Sequence, residues 1–410
     1  MLVLEAKLQG KIEQYNLIDE AIRTALFCRN KALRYWIDNR GAGRYDLNKF
    51  MAVLSKEFEF ANKLNSQARQ SSAERAWSGI ARFFDNCKKK VSGKKGYPKF
   101  KKRGHSVEYK QTGWKLSEDR KHLTLTDGFK IGRLKLVGSR NLNFYQIEQI
   151  KRVRLVHRAD GYYAQFCVDV DRREEIEPTQ TTIGLDVGLN HFYTDSKGQV
   201  VENPRYLRKS ERQLKKLQRK VSKRKKGSAN RRKAIKRLAR KHLQVSRQRK
   251  DFAVKTARCV VRSNDLIAYE DLLVANMVSQ RVGRVSRLEA TGEPVRVKNH
   301  KLAKSISNAS WSMFRDWVEY FGKVFGKVTV AVPPHYTSQN CSNCGKQVVK
   351  TLSQRTHCCR HCGTALDRDH NAALNILAIG LNRVGHTQIN ACGEFDLYQV
   401  DVSLLGKLSH

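Results

Sequence analysis

The sequence predicts a multidomain protein of the α+β class, and changes of pattern along its 410 residues support this prediction. Residues 1–9 have the pattern of a strand, and apolar residues at helical spacing over residues 11–38 predict a long helix. Residues 106–170 carry short runs rich in Thr, Val, Ile, Tyr and Phe, which are typical of strands. After residue 180, apolar strands alternate with helical segments, as in an α/β domain.

Composition narrows the class of binding partner. The 80 Lys and Arg residues exceed the 38 Asp and Glu residues and leave a formal charge of +42. Because self-repulsion on this scale is relieved beside a polyanion, we expect a nucleic-acid partner. With 40% hydrophobic residues the chain is not a disordered basic tail. It has no apolar run of membrane-spanning length, no signal-peptide pattern and no disulfide framework, so we expect a cytoplasmic protein.

The helical part is predicted to continue to about residue 90 and to be followed by a basic linker at residues 88–103. This linker contains Gly, Pro and the aromatic residues Tyr97 and Phe100. Rings can stack on bases while cations neutralise phosphates, so the linker suits a nucleic-acid strand; a merely solvated linker is the alternative. The candidate contacts here are Lys99, Lys101, Lys102 and Arg103.

The segment at residues 106–170 is predicted to form a small antiparallel barrel or sandwich, because its strand-like runs are separated by Asp-Gly and Gly-Arg turn signals. An acidic, proline-containing stretch at residues 174–178 predicts a domain boundary. The α/β part is expected to begin directly after it.

A strongly cationic block follows at residues 205–250, where 22 Lys and Arg residues accompany Glu211 as the one acid. Apolar residues at helical spacing on both sides of Gly227-Ser228 predict a hairpin of two helices. A solvated charged face would intersperse acids among the cations, so we favour contact with phosphates. The candidate contacts are Arg219, Lys220, Lys223, Arg224, Lys225, Arg231, Arg232, Lys236 and Arg240.

Three acids are candidates for a catalytic metal site. Asp186 interrupts an apolar strand, where a carboxylate is poorly tolerated unless a cation compensates it, and Glu270 ends a second such strand. If Asp369 lies in the first turn of the last helix, its side chain shares the apolar face and points toward the sheet. Asp367 is then the helix N-cap. The three could hold about two Mg²⁺ ions for phosphodiester hydrolysis; the alternative for the strand acids is a structural role.

Two Cys-x-x-Cys pairs predict a structural zinc site. Cys341 and Cys344 are separated from Cys359 and Cys362 by fourteen residues, a spacing that suits one tetrahedral Zn²⁺ with four thiolate ligands. Because no coordination position is left open, the zinc is expected to be structural. The adjacent Cys358 and His361 are predicted to lie outside the ligand set.

Taken in order, these motifs resemble those of TnpB, the transposon-encoded RNA-guided nucleases that are related to type V CRISPR effectors. The resemblance spans roughly residues 180–380 and rests on five motifs, namely Gly184-Leu185-Asp186-Val187-Gly188, Tyr269-Glu270-Asp271, Thr337-Ser338-Gln339, the two cysteine pairs and the run from Asp367 to Ile376. It implies an RNase H-like (RuvC) domain with Asp186, Glu270 and Asp369 as catalytic acids, a guide RNA and a target DNA that is unwound to a heteroduplex plus a single strand. It also implies a bacterial protein that is found at the nucleoid when bound to DNA.

The resemblance further implies a domain map. Residues 1–10 and 96–178 would form a β-barrel wedge domain with a helical recognition domain at residues 11–95. Residues 179–334 and 364–382 would form the RuvC-like domain, including the basic hairpin at residues 205–262, with a zinc ribbon at residues 335–363 and a tail at residues 383–410. Two other functions stay open: a nuclease-inactive RNA-guided DNA-binding regulator, and a transposase or accessory protein that acts without a guide.

Overall fold

The computed structural model describes residues 1–91, 94–138, 141–279, 285–288, 294–296, 300–351 and 353–385. The chain forms two compact units, Met1–Arg172 and Arg173–His410, which are described separately below. The division falls just before the acidic stretch at residues 174–178. Within the described ranges, no helix is long and apolar enough to cross a membrane. The predicted tail at residues 383–410 lies almost wholly outside the described residues.

The first unit contains four helices among its described residues. The long helix predicted at residues 11–38 is confirmed, and its buried face includes Ile18, Ile22, Ala25 and Leu33 at the spacing of one helical stripe. The α-rich segment ends at Lys88, close to the predicted position. The helices are α1 (Ile12–Asp38), α2 (Arg44–Glu57), α3 (Glu59–Asn62) and α4 (Ser66–Lys88).

The sheet of the first unit is antiparallel throughout and nearly closed. Its strands are β1 (Leu2–Gln9), β2 (Ser106–Lys110), β3 (Trp114–Leu116), β4 (His122–Leu125), β5 (Arg133–Val137), β6 (Ile150–Arg158) and β7 (Gly161–Val168). Their order is β2-β6-β7-β1-β5-β4-β3. The edge strands β2 and β3 are joined by Gln111–Gly113 alone, so the two edges must lie close together. The first strand of the chain thus sits in the middle of the sheet, between β7 and β5.

The second unit is built on a mixed sheet with the order β10-β9-β8-β11-β14. β8 pairs with β9 in the antiparallel sense and with β11 in the parallel sense, and β11 pairs with β14 in parallel. Two further pairs of strands lie outside this sheet. The strands are β8 (Thr182–Val187), β9 (His191–Asp195), β10 (Val200–Glu202), β11 (Leu266–Glu270), β12 (Val285–Leu288), β13 (Pro294–Arg296), β14 (Val328–Val332), β15 (Thr356–Cys358) and β16 (Ala365–Asp367).

Helices cover both faces of the mixed sheet, and two helices of this unit form the predicted basic hairpin. The helices of this unit are α5 (Tyr206–Ser222), α6 (Ala229–Arg262), α7 (Val274–Ser279), α8 (His300–Ala309), α9 (Trp311–Phe325) and α10 (Arg368–Val384). α5 packs on α6, and the break between them falls at Gly227-Ser228 as predicted. Ser228 caps α6 by accepting a hydrogen bond from the Arg231 amide at 3.2 Å.

The two faces of the mixed sheet bury different side chains, which is the feature that positions the candidate site. Ile183 and Leu185 of β8 and Ile267 and Tyr269 of β11 pack in the core that contains α6 and α9. Leu266 and Ala268 instead pack with Ile376 in the core formed with α10. Because side chains alternate along a strand, the intervening residues of β8 and β11 face α10.

Candidate functional site

Asp186 and Glu270 lie side by side near the carboxyl ends of β8 and β11, two central strands of the mixed sheet. The parallel pairing sets Leu185 opposite Tyr269. The next residues, Asp186 and Glu270, are therefore neighbours on two adjacent strands, and the backbones of adjacent strands are about 4.8 Å apart. The alternation described above points both acids to the face that α10 covers. The strand period and the parallel register together therefore bring two acids together that are far apart in the sequence.

Asp369 completes the set because α10 crosses this face in close contact. A Cβ atom added at Gly184 of β8 would lie 2.2 Å from the Ala373 carbonyl oxygen, and one added at Gly380 of α10 would lie 2.5 Å from the Ala268 Cβ. Only glycine allows the helix to approach β8 and β11 so closely. This contact sets the first turn of α10, which carries Asp369, beside the end of β8.

The start of α10 is fixed by Asp367, as predicted. Its Oδ1 accepts hydrogen bonds from the amides of Asp369 at 2.8 Å and His370 at 3.2 Å. Asp367 is also the last residue of β16, so the helix begins directly where the cysteine-bearing hairpin ends. The prediction that Asp369 shares the apolar face is consistent with the burial of Ala372, Ala373 and Ile376.

Burial and neighbouring carboxylates raise the proton affinity of Asp186. Burial raises the pKa of Asp186 well above its ordinary value, and the charges of Glu270 and Asp369 raise it further, while Arg368 acts in the opposite direction. Burial also raises the pKa of Glu270. The three acids are half-buried, and carboxylates held close together with little solvent around them favour a cation, so this electrostatic arrangement suits a divalent metal ion.

The geometry of the carboxylates differs from that of a closed metal site. Among the described residues, the four predicted cysteines are the one set of three or more His, Cys, Asp and Glu side chains whose ligand atoms have metal-site spacing. The three acids share a face and an edge, but their oxygens are not gathered to that degree. Residues of this kind fit Mg²⁺, which takes one or two carboxylates and keeps several waters.

The four cysteines have the geometry of a structural zinc site. The Sγ atoms of Cys341, Cys344, Cys359 and Cys362 all lie within 4.8 Å of one another. The pairs Cys341–Cys362 and Cys344–Cys359 are each 3.6 Å apart, close to the ~3.8 Å between two thiolates on a tetrahedral zinc. Cys358 and His361 are not in this group, as predicted.

The two cysteine loops are built alike. In each, the amide of the following glycine donates to the carbonyl of the first cysteine, from Gly345 to Cys341 at 2.9 Å and from Gly363 to Cys359 at 3.0 Å. Both glycines have positive φ, +71° and +74°, which explains why glycine follows each pair. The Thr364 hydroxyl lies 3.1 Å from Cys362 Sγ. Hydrogen bonds from this hydroxyl and from the Thr364 backbone, with smaller contributions from Cys344 and Cys359, lower the pKa of the Cys362 thiol to about 6, which favours the thiolate that zinc binds.

Comparison with known proteins identifies the family to which this chain belongs. Residues 165–281 match the OrfB_IS605 family, described as "Probable transposase", and residues 311–376 match the Cas12f1-like TNB domain. The chain is 30% identical over 384 residues to InsQ of Escherichia coli (strain K12), which is described as a candidate RNA-guided DNA endonuclease, and the match covers 92% of this chain and 90% of InsQ. The chain belongs to the TnpB family. It is also 26% identical to the TnpB-like protein L770 of Acanthamoeba polyphaga mimivirus, over 65% of this chain and 51% of that protein.

Two solved structures share the fold of this TnpB-family chain. Cas12f1, solved in a complex with sgRNA and target DNA, covers 89% of this chain with a TM-score of 0.52 at 14% identity, and 83% of Cas12f1 is matched. The mini-RNA-guided endonuclease Cas_phi3 covers 93% of this chain with a TM-score of 0.55 at 10% identity, and 92% of Cas_phi3 is matched. The chain therefore shares its mixed α/β multidomain fold with these two proteins.

The candidate nucleic-acid contacts of this TnpB-family chain are mostly exposed. Lys99, Lys101, Lys102 and Arg103 are exposed in the first unit, and all the candidates on the basic hairpin except the half-buried Arg231 are exposed as well. Although Lys101 is exposed overall, partial desolvation lowers the pKa of its ammonium group, and the positive charges of Arg29 and Arg75 lower it further. Arg231 has a structural contact, since its Nη1 donates to the carbonyls of Val221 and Arg224 at the end of α5.

Sequence reasoning missed two contacts at the acid site. Thr337 was noted as part of a motif without a role, yet its hydroxyl donates to Glu270 Oε1 at 2.6 Å. In addition, Arg355 Nη1 lies 3.8 Å from Asp369 Oδ1. Thr337 precedes the first cysteine pair and Arg355 precedes the second, and no periodicity in the sequence relates them to the acids.

Proposed function

We propose that this protein is an RNA-guided DNA endonuclease that hydrolyses DNA phosphodiesters at Asp186, Glu270 and Asp369. The observation that carries the proposal is the parallel register of β8 and β11, which sets the first two acids side by side facing the helix that bears the third. The name of InsQ and the family membership support the same function. The acids at the edge of the mixed sheet also support the RNase H-like (RuvC) interpretation of residues 179–334 and 364–382.

Each acid has a defined role in the proposed mechanism. Asp186 and Glu270 would hold about two Mg²⁺ ions from the sheet, and Asp369 would hold them from the helix. Bound Mg²⁺ supplies an activated water and stabilises the leaving oxygen. Thr337 donates to one oxygen of Glu270 and leaves the other available, while α10 and the sheet exclude water from the buried side of the acids.

Guide RNA and target DNA are the proposed partners. The solved structure of Cas12f1 contains sgRNA and target DNA, and the name of InsQ also refers to RNA guidance. The exposed cations of residues 99–103 and of the hairpin would neutralise phosphates of these strands. In this proposal residues 1–10 and 96–178 act as the wedge, residues 11–95 as the recognition domain, and residues 335–363 as a ribbon with one structural Zn²⁺.

The decisive experiment uses the purified protein with its copurifying RNA. Sequencing that RNA defines the guide, and a plasmid that carries the matching target is then tested for cleavage with Mg²⁺ or with EDTA. Asp186→Asn should reduce cleavage by more than about 100-fold and leave RNA binding intact, because it removes a metal ligand and not an RNA contact. The matched control is Asp271→Asn, which alters an exposed acid that pairs with Arg315 and should retain cleavage.

The two alternatives predict different results in the same experiment. A nuclease-inactive regulator would bind the matched plasmid without cutting it, although all three acids are present. A transposase that acts without a guide would purify without a defined RNA; the "Probable transposase" description of the matched family makes this alternative specific. Cleavage that persists in Asp186→Asn would show that the metal site is misassigned.

The hairpin proposal has its own test. Changing Lys223, Arg224 and Lys225 to Ala should weaken RNA binding and lower the slope of log affinity against log salt by about 0.7 for each phosphate contact that is lost. Lys255→Ala is the control, because this exposed lysine of α6 pairs with Asp251 and lies outside the cationic block. An unchanged salt slope in the triple variant would rule out phosphate contact at these positions.

A further inference from the structure

Thr337 lies where the sheet leads into the first cysteine loop. β14 ends at Val332, and Cys341 begins the loop a few residues after Thr337. The Thr337 side chain is buried, with the residue 5% exposed, and its hydroxyl donates to Glu270 Oε1 at 2.6 Å. A buried hydroxyl bonded to a carboxylate at this distance is a strong, charge-assisted contact that fixes the carboxylate rotamer.

The backbone around Thr337 is in turn held by α10. Asn375 Nδ2 donates to the carbonyls of Thr337 and Asn340, each at 2.8 Å. Asn371, which is fully buried, donates to the Asn340 carbonyl at 2.8 Å and accepts from the Ser342 amide at 3.0 Å. These two asparagines lie one turn apart on the helix that carries Asp369, so they clamp the entrance of the cysteine loop onto α10.

The contacts form one continuous connection between two of the acids. Glu270 on β11 is bonded to the Thr337 hydroxyl, the Thr337 carbonyl is bonded to Asn375, and Asn375 shares α10 with Asp369. The same segment continues into Cys341, so the connection ends at the base of the cysteine module. Thr337 therefore touches the proposed metal ligand set without belonging to it.

We propose that Thr337 is a positioning residue, which orients Glu270 for divalent metal binding and ties it to the base of the cysteine module through α10. This inference rests on the proposed function. Partners of metal ligands in other proteins set the orientation of those ligands, and their loss typically reduces metal affinity by about 10- to 100-fold. We expect a loss of this size when the Thr337 hydroxyl is removed.

The test measures metal binding directly. The full chain with its copurifying RNA is titrated with Mn²⁺, and free Mn²⁺ is followed by electron paramagnetic resonance. Binding that disappears in Asp186→Asn defines the acid-dependent component. Thr337→Val, which keeps the shape and removes the hydroxyl, should weaken this component by about 10- to 100-fold, and Thr337→Ser should restore it to within a few-fold of the wild type.

Two further measurements separate positioning from general damage. The zinc content of Thr337→Val should match that of the wild type, because the four cysteines are unchanged. Its thermal unfolding should remain one cooperative transition, with a loss of stability no larger than the ~1–3 kcal/mol expected for one buried hydrogen bond. Thr356→Val is the matched control, because this exposed threonine on β15 belongs to the same module. Among the residues that the structure describes, its hydroxyl makes no hydrogen bond to the three acids, so Mn²⁺ affinity should not change.

The outcomes decide between the inference and the function on which it rests. Acid-dependent Mn²⁺ binding that is unchanged in Thr337→Val overturns the inference and leaves the proposed function standing. Equal losses in Thr337→Val and Thr337→Ser would also overturn it, because the hydroxyl would then not be the cause. If the wild type shows no component that Asp186→Asn removes, the proposed metal site fails and the inference fails with it.

Discussion

The cysteine site and the acid site are neighbours with opposite construction. The four thiols come from two similar loops and already have the spacing of one tetrahedral ion. The three acids come from two strands and a helix, and burial and mutual repulsion raise the pKa of Asp186. Local turns bring the four thiols of the cysteine site together. At the acid site, the packing of strands and helix holds the carboxylates close together although their charges repel one another.

This difference supports the proposal that the cysteine site serves stability and the acid site serves chemistry. A closed set of four ligands leaves no position for a substrate, so its metal can contribute only to folding. Acids that repel one another across an open edge can accept metal ions and substrate phosphate together. The contrast predicts that removing a thiol ligand at the cysteine site destabilises the protein. Removing a carboxylate at the acid site should instead stabilise the metal-free protein.

The largest expected effect is at the cysteine site. Cys359→Ser should abolish stoichiometric zinc binding and unfold the ribbon, because a structural zinc contributes about 10–16 kcal/mol to the folding of such a module. Zinc content by mass spectrometry and thermal unfolding measure the loss. Cys358→Ser is the matched control, since the adjacent thiol is exposed and outside the cluster. Zinc loss in the control instead would show that the ligand register is wrong.

A smaller effect of opposite sign is expected at the acid site. The pKa of Asp186 is higher in the folded protein than in the unfolded chain, so the folded state holds this proton more tightly and the wild type loses stability as pH rises above the unfolded value. Asp186→Asn lacks this loss and should be more stable by about 1–2 kcal/mol at neutral pH without metal.

Denaturant unfolding of both proteins from pH 4 to pH 8 in metal-free buffer tests this expectation. The stability difference should grow with pH and should shrink when Mg²⁺ is added, because the metal stabilises the wild type alone. A variant that is less stable than the wild type at every pH would contradict the contrast between the two sites.

The smallest expected effect is at the junction of the two sites. Asp367 ends the hairpin of the second cysteine loop and caps the helix of the third acid. Asp367→Ala should lower the free energy of unfolding by about 1 kcal/mol, whereas Asp367→Asn keeps a capping oxygen and should lose much less. Equal losses in the two variants would mean that charge, and not the hydrogen bond, is what matters at this position.

Much of the candidate site could be predicted from local patterns. Strand-like runs placed Asp186 and Glu270 on β8 and β11, and helical phase placed Asp369 on the buried face of α10 with Asp367 as its cap. The four cysteines were predicted by spacing alone. These predictions depend on periods of two and 3.6 residues or on short loops, which the sequence displays directly.

Other features lie beyond such patterns. The place of β1 in the middle of the first sheet depends on pairing with β5 and β7, which are more than a hundred residues away. The motif glycine Gly184 proved to be a packing residue, whose role is visible only once α10 lies against β8. Thr337 carries no signal that links it to Glu270, because hydroxyl residues are common in loops and the bond joins distant segments.

By itself the sequence determined which residues this protein offers: a large excess of cations, two closely spaced pairs of cysteines, and three acids within or next to apolar segments. Only the tertiary structure decided that β8 and β11 are adjacent and parallel, that glycine contacts bring α10 onto them, and that Thr337 and Asn375 connect the acids to the cysteine module. The physical reason is that composition and period are local properties, whereas strand register, close helix approach and side-chain hydrogen bonds between distant segments arise only from packing.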